Sequence, residues 1–122
     1  AWEDLCRAGA TALLAQDDAA AGVWLPPQRW WHGAAPEWDV VTTTVARDAF
    51  MAGEAKWSDA PLSDGQLETL GRQLLARPLP PGLPPDSLRV LFVGRTASAT
   101  RHLPGGVRVY DAGAVMEATL RT

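Results

Sequence analysis

Residues 88–94 read Leu-Arg-Val-Leu-Phe-Val-Gly, and this run constrains the chain more than any other. Branched and aromatic side chains make it a strand, and apolar residues in both alternating sets require both of its faces to be covered. A strand of that kind belongs to a sheet held between layers of helix. Apolar positions recurring every three to four residues predict a helix over 2–16, with Trp2, Leu5, Cys6, Leu13 and, less centrally, Ala10 on its buried arc. Short extended pieces follow at 23–25 and 29–32, separated by Pro26-Pro27. Residues 37–44 (E-W-D-V-V-T-T-T) and 49–57 (A-F-M-A-G-E-A-K-W) read as strands, turning near Arg47. Within the first, Trp38, Val40 and Thr42 are expected on one face and Asp39, Val41 and Thr43 on the other. Ser63 with Gln66 three residues later forms a capping box, opening a helix whose stripe is Leu67, Leu70, Leu74 and Leu75 and which ends near Arg77. The proline-rich stretch 78–85 is a stiff connector. A strand at 107–111 and a helix over 112–120 complete the pattern. The order helix, three strands, helix, strand, strand, helix predicts an α/β fold with a mixed sheet in three layers.

A chain of 122 residues is expected to form a single domain over 1–122. Of its residues 47% are apolar, but 21 alanines supply much of that, so the six tryptophans are expected to carry a large share of the packing. No run approaches the ~20 apolar residues that a membrane span needs, and no leader pattern is evident. One cysteine, Cys6, forms no intrachain disulfide and fits a reducing compartment, so the expected location is the cytoplasm. The chain opens inside a helical pattern without an initiator Met, and we expect it to be a piece of a longer protein. Net charge is −3, but residues 1–86 carry −6 and residues 87–122 carry +3. Arg89, Arg95, Arg101 and Arg108 follow one another there with no acid between them, either as a solvated face or as a phosphate-contacting strip.

Ten of the eleven basic residues are arginine; the other is Lys56. Arginine stays protonated at neutral pH, whereas lysine is a compact charge whose pKa responds to its site and can orient or deprotonate water. Glu54 lies two residues earlier on the same strand face. A hairpin turning near Arg47 sets Asp39 opposite roughly residue 55, so Asp39 and Glu54 converge if the register puts both on one face. Glu3 is available from the first helix. A hard cation such as Mg²⁺ keeps several waters and needs only one or two carboxylates and a carbonyl, which Asp39, Glu54 and the backbone of Ala55 offer. Glu37 is a further carboxylate or an exposed strand start. Trp30-Trp31 is read as core or as a base-stacking pair. His32 and His102 lack zinc-ligand spacing, Ser58 and Ser63 have no nucleophile partners, and no phosphate-loop motif for ATP is present.

The pattern Glu3 … Asp39 … Glu54-Ala55-Lys56 resembles the restriction-endonuclease-like, PD-(D/E)XK, superfamily. More closely, W-E-D-L-C-R, R-W-W, E-W-D-V-V and G-E-A-K-W resemble a nuclease-like domain of unassigned function at the C-terminus of archaeal and bacterial AAA-type (STAND-like) ATPases. The resemblance covers residues 2–76 and more loosely the remainder. Trp38 stands where many active members have proline. The resemblance implies a restriction-endonuclease-like core and a metal-dependent nuclease acting on DNA or RNA with Mg²⁺ or Mn²⁺. Asp39 and Glu54 would be metal ligands, Lys56 the water-activating residue and Glu3 an auxiliary ligand. Implied partners are nucleic acid and the ATPase part of a parent protein, with dimerisation open. The alternative is a catalytically silent domain of the same fold that docks onto its ATPase or binds nucleic acid without cutting.

Overall fold

Arg47 adopts φ 59°, the one non-glycine among the described residues in the left-handed region, and the sheet is organised around the turn it makes. Its N–H donates to the Thr44 carbonyl at 2.9 Å, and the Thr44 hydroxyl donates to the Asp48 carboxylate at 2.7 Å. On either side of this turn run β2 (Trp38–Thr43) and β3 (Phe50–Lys56), antiparallel, with Val40 opposite Gly53 and Thr43 opposite Phe50. The computed structural model describes residues 1–17, 21–98 and 101–121. β1 (Gln28–Trp30) pairs antiparallel with the outer side of β2, while β4 (Leu88–Val93) runs parallel to β3 and β5 (Arg108–Tyr110) parallel to β4. The result is a mixed five-stranded sheet in the order β1-β2-β3-β4-β5.

Helices α1 (Trp2–Asp17) and α3 (Ala112–Leu120) cover one face, where Cys6, Leu14 and Val115 pack with Val40, Met51, Val90 and Phe92. Helix α2 (Asp64–Ala76) covers the other, where Leu67 and Leu74 meet Ala52, Leu91, Val93 and Val109. The run at 88–94 is therefore enclosed as its composition requires: Val90, Leu91, Phe92 and Val93 are all buried, on alternating sides. Gly53 at the sheet centre has no space for a side chain, since a Cβ there would stand 2.9 Å from the Phe92 ring and 3.1 Å from the Val90 carbonyl oxygen. The capping box of α2 is present in full: Ser63 Oγ accepts from the Gln66 N–H at 3.2 Å and Gln66 Oε1 accepts from the Ser63 N–H at 2.8 Å.

Several expectations are corrected. The buried stripe of α1 is Cys6, Gly9, Ala10, Leu13 and Leu14, and Leu5 is exposed. The arc is turned toward its small residues because α3 packs there, bringing the Val115 carbonyl within 3.1 Å of where a Gly9 Cβ would stand. Residues 23–25 make an isolated bridge, Trp24 to Thr44, rather than a strand; the prolines that follow have no N–H to extend it. The tryptophans divide as well. Trp38 and Trp24 are buried and Trp2 and Trp30 half-buried, but Trp31 is 62% and Trp57 56% exposed. Among the described residues no helix is long and apolar enough to cross a membrane.

Candidate active site

The sheet contains one irregularity near the residues that the sequence singles out. On the β1 side, Gln28 pairs with Val41 and Trp30 with Trp38, so three steps along β2 match two along β1. That is a β-bulge, and it lies between Trp38 and Val41. The bulge inverts the alternation. Val40 joins the α1-side core, whereas Trp38, two residues earlier, lies in the α2-side core, donating its indole N–H to the Pro78 carbonyl at 2.9 Å. The expectation that Trp38 and Val40 share a face is thus wrong. An extra residue between them cancels the period of two. Trp38 is fully buried, which accounts for a bulky aromatic at this position.

The same bulge aims Asp39. The Thr44–Ala49, Thr42–Met51 and Val40–Gly53 pairs follow in step, and the next pair would be Trp38 with Ala55. The β2–β3 register stops at Val40, and the Asp39 carboxylate takes over, accepting the Ala55 N–H at 2.9 Å. A strand residue directs its N–H and C=O to the same side, so the Ala55 carbonyl leaves the chain along this same edge. Asp39, Glu3, Glu37, Arg7 and Arg29 line a cleft of about 270 Å³. Both arginines are engaged elsewhere than on the Asp39 carboxylate. Arg7 donates to the Asp39 backbone carbonyl at 2.7 Å and to Asp4 at 2.7 Å, while Arg29 is ion-paired with Glu37. Among the described residues, the Ala55 N–H is the only hydrogen-bond donor to the Asp39 carboxylate, and Glu3 makes no hydrogen bond or ion pair.

Burial pushes the Asp39 carboxyl above its ordinary 3.8, and the negative charges of Glu37, Glu54 and Glu3 push the same way; the Ala55 N–H opposes them. The cleft therefore holds a half-buried carboxylate in a net negative field with unused lone pairs. A cation of high charge density is the natural complement.

The other expected residues stand nearby but apart. Glu54 does not line this cleft. Its carboxylate pairs with Arg77 at 2.8 Å, and Arg77, immediately after α2, also donates to the Glu37 carbonyl at 3.0 Å and lies over the Trp38 ring. Lys56 ends β3 opposite Val93, is exposed, and makes no ion pair among the described residues. The structure thus brings Glu3, Asp39 and the Ala55 backbone together. It places Glu54 and Lys56 on the strand next to them, facing α2. No three His, Cys, Asp or Glu side chains are grouped as a metal site among the described residues.

Sequence reasoning missed Arg7, Arg29 and Arg77. Arg7 had a readable signal, being one helical turn from Glu3 on the same side of α1. Arg77 had none, since its role depends on where α2 ends in space. Comparisons with protein-family models, with curated proteins and with solved structures each return no match.

Proposed function

We propose that this domain has a restriction-endonuclease-like core and is a metal-dependent nuclease, hydrolysing phosphodiesters of DNA or RNA at the cleft where β2 and β3 part. One observation carries the reading: the Asp39 carboxylate, fixed by the Ala55 N–H, sits beside Glu3 and Glu37 in a cleft whose two arginines, among the described residues, bond elsewhere than to it. Mg²⁺ or Mn²⁺ would be held by Asp39, the Ala55 carbonyl and Glu3, with Glu54 joining once it leaves Arg77. Such an ion would lower the pKa of a water and offset phosphate charge. Lys56 would orient the attacking water or meet the scissile phosphate, which its exposed position at the end of β3 leaves it free to do. The Ala55 N–H keeps the Asp39 carboxylate aimed, and Arg7 holds the backbone behind it.

The test is cleavage of single-stranded and duplex DNA and of RNA in Mn²⁺, with calorimetry of metal binding. Lys56→Ala is expected to lower the rate by roughly 10²-fold or more while metal still binds, and Asp39→Asn to lose both. Equal cleavage by wild type and Lys56→Ala removes the lysine from the mechanism.

The Arg77 contact favours a second reading, a silent domain of this fold that docks onto a parent ATPase. An arginine that neutralises Glu54 and stacks on a buried tryptophan does the work of a structural clamp. No cleavage and no metal binding, by wild type or by Arg77→Met, is the result that selects it.

A further inference from the structure

Trp31 and Trp57 are exposed, and each has a neighbour linked to the candidate cleft. Trp31 follows β1, and the Arg29 guanidinium lies 5.8 Å over its ring; Arg29 itself lines the cleft. Trp57 follows Lys56 and meets Trp2 edge to face, with ring centroids 5.3 Å apart; Trp2 directly precedes Glu3, another cleft residue. Trp31 is thus tied to the cleft through Arg29, and Trp57 through Trp2, the residue before Glu3. Trp57 is also held from behind. Its ring packs on Gly94, and its indole N–H donates to Asp59 at 3.1 Å. Beside it are two exposed cations, Lys56 and Arg95, the latter tied to the Asp59 carbonyl.

A rigid aromatic ring facing solvent, flanked by cations and next to a phosphate-hydrolysing site, is the arrangement that receives unpaired bases while the cations meet the backbone. A duplex buries its base faces in its own stack and has nothing to offer such rings. Both tryptophans cost free energy when left in water, and bases are the apolar surfaces a nucleic acid brings with it.

We propose that the cleft takes a single-stranded segment of nucleic acid, with Trp57 and Trp31 as stacking platforms. The proposal rests on the nuclease reading and names its substrate class. It is tested by fluorescence anisotropy of a labelled oligo-thymidine strand and of a blunt duplex, in Ca²⁺ and without turnover. Wild type is expected to bind the single strand more tightly. Trp57→Ala and Trp31→Ala should each weaken that binding roughly 5- to 150-fold. Trp57→Phe should retain most of it, and duplex binding should change little in any variant. Unchanged melting midpoints separate lost stacking from lost folding. Equal or tighter duplex binding, no binding of the single strand, or single-strand binding insensitive to both alanine variants overturns the proposal. Tryptophan-dependent binding without cleavage in Mn²⁺ would leave it standing and remove the nuclease reading instead; cleavage of duplex alone would do the reverse.

Discussion

Lys56 is set apart by what surrounds it as much as by its rarity. Arg7, Arg29 and Arg77 all touch the ends of the candidate site, and each is committed to a carbonyl or a carboxylate of the fold. Unlike these three, Lys56 is exposed and makes no ion pair among the described residues. That division of labour follows from chemistry: a planar, permanently charged fork suits a fixed scaffold, and a point charge that exchanges protons suits a reaction. Lys56→Arg is therefore expected to lose cleavage nearly as fully as the alanine variant while binding the oligo-thymidine strand as wild type does. Rates and anisotropy measured on the same preparation check it, and an active arginine variant would mean that only charge is needed at this position. Cys6 shows the opposite case. It is fully buried, and burial pushes its thiol pKa up, so it acts as a small core residue as its place on an apolar helix face suggests.

Among the elements, legibility tracked whether a signal was local. Capping by Ser63 and Gln66, the leucine stripe of α2 and the run at 88–94 all depend on neighbours in sequence, and each is found where its pattern puts it. Ser63→Ala removes one side of the capping box and is expected to cost about 1 kcal/mol, read as a lower urea midpoint with unchanged slope. The bulge in β2 was not legible, because the stretch Trp38 to Thr43 alternates in burial just as a regular strand would. Only pairing with β1 and β3 exposes the extra residue. For the same reason, sequence placed Asp39 near residue 55 but did not show that it meets the backbone of Ala55 rather than the side chain of Glu54. Trp31 was readable as core or as a base-stacking residue, but the exposure of Trp57 was not legible, because hydrophobicity alone assigns tryptophan to the interior.

For the molecule as a whole, the Asp39 field links stability to pH and to divalent ions. A carboxyl whose pKa is higher in the folded state than in the unfolded state binds more protons when folded, so this group makes stability fall as pH rises from the ordinary 3.8 through the raised value. Above that window the charged, half-buried group is a standing cost. Asp39→Asn keeps an oxygen to accept the Ala55 N–H and removes the charge. It is expected to raise the melting temperature at neutral pH without metal and to flatten its decline above pH 4. Mn²⁺ should stabilise wild type and leave the variant unmoved. Melting curves across pH, with and without the ion, check all three statements, and a variant that melts lower at neutral pH would count against this account of the field.

The bulge has one further consequence. Because side chains in a strand obey a parity rule, a one-residue fault means that the two ends of β2 follow opposite parities: Val40 belongs to the core under α1, and Trp38 to the core under α2. Asp39 stands at the change of sign. Sliding it one position either way would turn one of these residues out of its core, so the candidate site cannot drift along the strand without unmaking one layer of the protein.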